Sequence, residues 1–198
     1  MIFVAFLLLQ AAAVAAGPDN HEGVAWDVAK EATSLAKNID SAIQACDLQI
    51  VSPTTEARAS QEGLEARGIK FQNEAPEIVK SVAGGKFGPA RLHQWLDPHA
   101  TIWLVASTQT STCRVLVNGT YVQAALPELE QLIQAGNFYK LDKAQSITGP
   151  DYVRTIFRGS LPKQSTVNPT VTLTRPIKPD DPGFRFGLAI LVAMIEKN

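Results

Sequence analysis

From residue 24 to residue 47 the apolar side chains Val28, Ala32, Leu35, Ile39, Ile43 and Cys46 recur at three- and four-residue steps. That spacing places them on one face of an α-helix. Lys30, Glu31, Lys37 and Asp40 fall mostly elsewhere. The pattern predicts an amphipathic helix whose buried face reaches Cys46 near its C-terminal end.

Beyond residue 100 the period changes to two. Residues 101–106 and 112–117 are short runs rich in β-branched residues, separated by the polar stretch 107–111 and closed by Asn118-Gly119. Two such runs around a short polar connection predict a β-hairpin. In the second strand Cys113, Val115 and Val117 share one face, opposite Arg114 and Leu116, because successive side chains alternate. In the first, Trp103 and Val105 oppose Ile102, Leu104 and Ala106. Neither strand has a polar face, so the hairpin is expected at the centre of a sheet, covered on both sides.

Weaker patterns fill the rest. A mostly polar helix is expected over 56–67, with Thr55 as its cap and Gly68 as its stop. A second helix is expected over 74–83, with Pro76 in its first turn and Gly84-Gly85 at its end. Residues 126–135 predict a third, with Pro127 at the first helical position and Leu126, Leu129, Leu132 and Ile133 on its apolar face. Residues 152–158 alternate, Val153, Thr155 and Phe157 opposing Tyr152, Arg154, Ile156 and Arg158. Residues 170–174 alternate between Pro169 and Pro176, and prolines at both ends predict a strand near a sheet edge. The apolar segment 183–195 reads as a strand from the alternation of Phe184, Phe186 and Leu188. The order predicts an α+β fold: an antiparallel sheet of about five strands with a long N-terminal helix and further helices packed on it. This order resembles profilin-like and PAS-like sheets in topology alone, and topology carries no function.

The N-terminus changes the picture from fold to destination. Residues 1–16 hold no charged side chain, residues 2–9 are a compact apolar core, and Ala13-Val14-Ala15 supplies the small-x-small exit of a signal peptidase site. Residues 1–15 are therefore expected to be a secretory signal peptide and 16–198 a single α+β domain. No Lys or Arg precedes the apolar core, so the α-amino group alone charges that end. The segment falls short of the roughly 20 residues of a membrane crossing. Export to the periplasm or the exterior follows, with no stable membrane insertion after cleavage. A retained anchor is the alternative.

Charge adds an exclusion. With 18 basic and 19 acidic residues the net charge is −1, which gives no electrostatic case for nucleic acid. The two cysteines, Cys46 and Cys113, are expected to form a disulfide in an exported chain. They are too far apart for a redox CxxC pair, and with the scattered histidines they make no zinc pattern.

Site-like residue types gather once, in His93-Gln94-Trp95-Leu96-Asp97-Pro98-His99. His93, Asp97 and His99 are the candidate catalytic residues: two imidazoles and a carboxylate can ligate a metal, or pair as general base and orienter. Pro98 interrupts the run and the histidines share no helix face, so the stretch reads as a polar loop entering the next strand, with Trp95 as its anchor. Residues 84–88 fail as a phosphate loop, because Lys80 and Phe87 occupy positions that need Gly and Ser or Thr. Asn118-Gly119-Thr120 is a formal glycosylation sequon. No nucleophile elbow, zinc helix or dinucleotide fingerprint is present. The reading is an exported, non-enzymatic α+β protein that binds a protein or small ligand, with no cofactor and no bound metal. The alternatives are a secreted hydrolase or metal-dependent enzyme using His93, Asp97 and His99, and a membrane-tethered envelope component with an uncleaved signal.

Overall fold

The computed structural model describes residues 21–51, 65–66, 68–83, 90–136, 138–161, 165–179, 181 and 183–196. The expected signal segment 1–15, nearly all of the expected helix 56–67 and the glycine turn at 84–85 lie outside the described residues. In chain order the elements are α1 (His21–Val51), β1 (Lys70–Gln72), α2 (Glu77–Ala83), β2 (Ala90–Asp97), β3 (Ala100–Ser107), β4 (Thr112–Gly119) and α3 (Val122–Ala135). They continue through β5 (Tyr139–Leu141), β6 (Ile147–Thr148), β7 (Tyr152–Gly159), β8 (Val167–Pro176) and β9 (Leu188–Glu196).

Among the described residues, nine strands join one antiparallel sheet in the order β1-β2-β3-β4-β9-β8-β7-β5, with β6 also paired to β7. The α+β class is as expected, but the sheet is larger than the expected five strands. The additional strands are β1, β2, β5 and β6. Three of these are only two or three residues long and lie along the sheet margins, where partial burial erases any alternation of apolar residues. β8 corrects the expectation of an edge strand, since it lies between β7 and β9. Its prolines are tolerated because each sits where a ladder runs on one side only. Pro169 pairs with Met194 of β9 after the β7 ladder has ended at Thr170, and Pro176 pairs with Tyr152 of β7 beyond the last β9 pair at Thr174.

One face of the sheet is sealed by α1 and α3. Leu35, Ile39, Ile43 and Cys46 of α1 and Leu126, Leu129 and Ile133 of α3 pack with Ile102, Leu104, Val115, Val117, Phe157, Val171, Leu173, Ile190 and Val192 from the strands. The expected disulfide is present, joining Cys46 of α1 to Cys113 of β4 with 5.5 Å between their Cα atoms. α3 begins one turn before its expected start, so Pro127 lies inside the helix. Its first turn follows Gly119 directly. A side chain at Gly119 would lie 2.3 Å from the His99 carbonyl oxygen, so only glycine lets β4 leave the sheet this close to the β2–β3 turn.

The other face is covered differently. α2 packs Val79, with Ile78 and Val82, on Trp103, Val105 and Leu116, and Phe186 from the segment before β9 joins them. This confirms the expectation that the β3–β4 hairpin is covered on both sides. Among the described residues this cover stops near β4. Beyond it, β9, β8 and β7 present Leu191, Thr172, Thr174, Ile156 and Arg154 to a cavity.

Candidate functional site

The structure separates the three residues singled out in the sequence. His93 lies within β2, paired with Leu104, and is 2% exposed. It corrects the expectation of a loop: residues 90–97 are strand, and only Pro98 and His99 form the turn into β3. The His93 ring meets Phe71 of β1 edge-on at 5.7 Å. Burial, and then the neighbouring Arg91 charge, hold its pKa below the ordinary histidine value, which favours the neutral ring. His93 and Asp97 are four residues apart along one strand, roughly 13 Å, too far to share a proton or a metal.

Asp97 and His99 instead dock the β2–β3 turn onto α1. Asn38 Nδ2 of α1 donates to Asp97 Oδ2 at 2.6 Å, and the His99 backbone N–H donates to Asp97 Oδ1 at 2.9 Å. The other end of the turn reaches Glu31 of α1, with His99 Nε2 3.1 Å from Glu31 Oε2 and the His99 ring edge-on to Tyr121 at 4.9 Å. Both Asp97 carboxylate oxygens and the His99 Nε2 are thus engaged in holding the turn. Among the described residues, no group of three His, Cys, Asp or Glu side chains is placed to hold a metal ion.

A second polar contact ties α1 to the far end of the sheet. Tyr139 of β5 donates its hydroxyl to Asp47 Oδ1 at 2.7 Å. Burial pushes the Asp47 carboxyl up to about 6, opposed by this hydrogen bond and helped by the Asp40 charge. The tyrosine rises as well, through burial and the adjacent carboxylate.

The arrangement with the features of a binding site lies on the incompletely covered face, in a cavity of about 350 Å³. Its floor follows from strand register. One row across the sheet runs Arg114, Leu191, Thr172, Ile156 on β4, β9, β8 and β7. The next row, two residues along each strand, runs Leu116, Ala189, Thr174, Arg154. The two arginines therefore stand at diagonally opposite corners of one patch, with two threonine hydroxyls and aliphatic side chains between them. Arg154 lies against the Tyr152 ring, its Cζ 5.3 Å from the ring centroid, a cation–π contact that fixes the guanidinium without neutralising it. Desolvation lowers the Arg114 pKa, yet a guanidinium keeps its charge in proteins. Among the described residues, no acidic side chain lines the cavity. By contrast Arg158, four residues along β7 from Arg154, is clamped by Asp142 through Nε and Oδ2.

The linear sequence carries only half of the signal for this site. Arg114 interrupts the apolar run of a core strand, and Arg154 shares an alternating face with Tyr152 and Ile156. Nothing in the linear pattern tells that β9 and β8 bring β4 and β7 onto a common surface. Compared with family models, curated proteins and solved structures, the chain matches none, and the likeness to profilin-like and PAS-like sheets rests on element order alone.

Proposed function

We propose that this chain is an exported, non-enzymatic binding protein that holds a small organic anion in the cleft over β4, β9, β8 and β7. The observation that carries the reading is the convergence of Arg114 and Arg154 on one cavity together with threonine hydroxyls and an aliphatic floor. Guanidinium groups present fork-shaped donors matched to carboxylates and phosphates. The threonine hydroxyls add donors, and Ile156, Ala189 and Leu191 supply the apolar floor that small-molecule sites use for most of their contact area. A volume of about 350 Å³ sits at the low end of such sites, which favours a small ligand. The Cys46–Cys113 disulfide and the leader-like pattern of residues 1–15 support an oxidising, exported destination. Asp97 and His99 are occupied in docking α1, and His93 is buried on its own strand, so the binding reading takes precedence over a catalytic one.

Native mass spectrometry of protein recovered from its own compartment tests this. The expected result is an organic anion retained by the wild type and lost from the Arg114→Met/Arg154→Met double variant. The same ligand on both proteins, or a ligand without negative charge, would overturn the assignment.

A further inference from the structure

The cleft differs from one end to the other. Its β7–β8 end is polar. Arg154 pairs across the strands with Thr174, and both line the cavity. Directly opposed side chains on one sheet face have Cβ atoms roughly 5 Å apart, so a guanidinium fork and a hydroxyl stand side by side. The Tyr152 ring supports the guanidinium without taking its charge, whereas Asp142 clamps Arg158 further along the same strand.

The β9–β4 end is apolar. Ala189 follows Thr174 in the same row and belongs at once to the cavity lining and to the second hydrophobic cluster, with Leu116, Trp103 and Phe186. The cavity therefore runs into the cover that Phe186 and α2 place over β3 and β4. Two interstrand steps separate Arg154 from Ala189, about 10 Å in all. In the adjoining row Ile156 and Leu191 flank Thr172, which carries a methyl as well as a hydroxyl. Arg114 lies beside Leu191 but already interacts within the chain, so the incoming charge is assigned to Arg154.

We infer that the cleft takes a linear aliphatic monocarboxylate in one orientation, its carboxylate on Arg154 and Thr174 and its chain running over Ile156 and Leu191 towards Ala189. This inference rests on the proposal that the cleft is the binding site, and adds the number of anionic groups, their position and the nature of the remainder.

Titration calorimetry of the full mature protein in a carboxylate-free buffer tests it. The probes are linear monocarboxylates of increasing length, the primary alcohols of the same lengths and the matching linear dicarboxylates. Affinity for the monocarboxylates is expected to rise by up to about fourfold per methylene and to stop rising once the chain meets the Phe186 end. The alcohols are expected to bind about tenfold more weakly or worse, for want of a charge-assisted hydrogen bond. The dicarboxylates are expected to bind more weakly too, because their second carboxylate is driven against an apolar end. Arg154→Met is expected to bring the acids down to the level of the alcohols, and Arg154→Lys, with a charge but no fork, to fall between. Ala189→Leu is expected to shorten the longest chain accepted. Circular dichroism of each variant establishes that it folds, and if Ala189→Leu does not, the Arg154 pair and the probe series carry the test. Dicarboxylates preferred over monocarboxylates of equal length, an affinity that ignores chain length, or wild-type affinity in Arg154→Met would each overturn the one-ended site while leaving the cleft as an anion site. Tighter binding of a short apolar peptide through its free C-terminus would have the same meaning. No binding of any of these anions would overturn both this inference and the proposal beneath it.

Discussion

Phe157 and Ile156 are neighbours on β7, yet they belong to different parts of the molecule. Phe157 is fully buried in the core that the sheet shares with α1 and α3, on the face that a disulfide fastens to α1. Ile156 faces the cleft, partly exposed, one strand from Thr172 and one residue pair from Arg154. The same strands thus supply stability from one side and polar chemistry from the other. Because side chains alternate, β7–β9 can vary the cleft residues without disturbing the core, provided register is kept. The difference explains why the arginines can sit on interior strands: the helix-covered face holds those strands in place.

The sharpest test of that division is the pair Phe157→Ala and Ile156→Ala. The first empties a fully buried aromatic site and is expected to cost about 3–5 kcal/mol, while the second is expected to cost about 1 kcal/mol or less, because its site is already open to solvent. Urea unfolding followed by fluorescence measures both. Equal losses would mean that the cleft face is packed as tightly as the helix face.

The disulfide comes next. Its bond closes a loop of 67 residues, for which chain entropy gives about 4 kcal/mol, with real cases often lower. Cys46→Ala/Cys113→Ala is expected to lose about 2–4 kcal/mol by the same unfolding assay, while anion binding by the folded fraction is unchanged. A binding loss in protein that remains folded would show that the two faces are coupled.

A smaller effect is expected from Asp47, on the helix side. Its carboxyl is raised from 3.8 to about 6, so the folded state binds this proton more tightly than the unfolded chain. Its contribution to stability is fully present below about pH 4 and is lost as pH rises through 6. A shift of this size corresponds to at most about 3 kcal/mol, and partial contact with solvent brings it to about 2 kcal/mol. Asp47→Asn keeps an acceptor for the Tyr139 hydroxyl and removes the titration. The stability of the variant relative to wild type is therefore expected to rise by about 2 kcal/mol between pH 4 and pH 7. A constant difference across that range would show that the tyrosine hydrogen bond holds the carboxylate ionised throughout.

What could be read from the chain follows the strength of local periodicity. The α1 stripe is correct from Ala32 to Cys46, and the β3–β4 hairpin, the faces of β7 and the disulfide are all where the pattern places them. The apolar segment 183–195 is strand as expected only from Leu188 onward, and Phe184 and Phe186, whose alternation suggested it, precede the strand. β2 is hidden in the sequence because His93, Gln94, Trp95 and Asp97 resemble a polar site more than a strand. In the fold His93 is buried by the short strand β1, through Phe71, and no local pattern announces a partner of three residues. The cleft was out of reach for a different reason. Its arginines lie on strands that are not neighbours in sequence, and only the register of β4, β9, β8 and β7 makes them one surface.

The position of β9 bears on how the molecule assembles. It is the last of the nine strands to be synthesised, yet it lies between β4 and β8 and completes the cleft floor with Ala189 and Leu191. Its partners on β4 are about 70 to 80 residues earlier in the chain, a separation that slows folding because the loop must close before the contacts form. Until β9 arrives, the β2–β4 and β7–β8 modules each expose an unpaired inner edge, the kind of edge that recruits other chains. The nascent molecule is thus two half-sheets awaiting a shared keystone, and any factor that accompanies it would have its greatest effect in that interval.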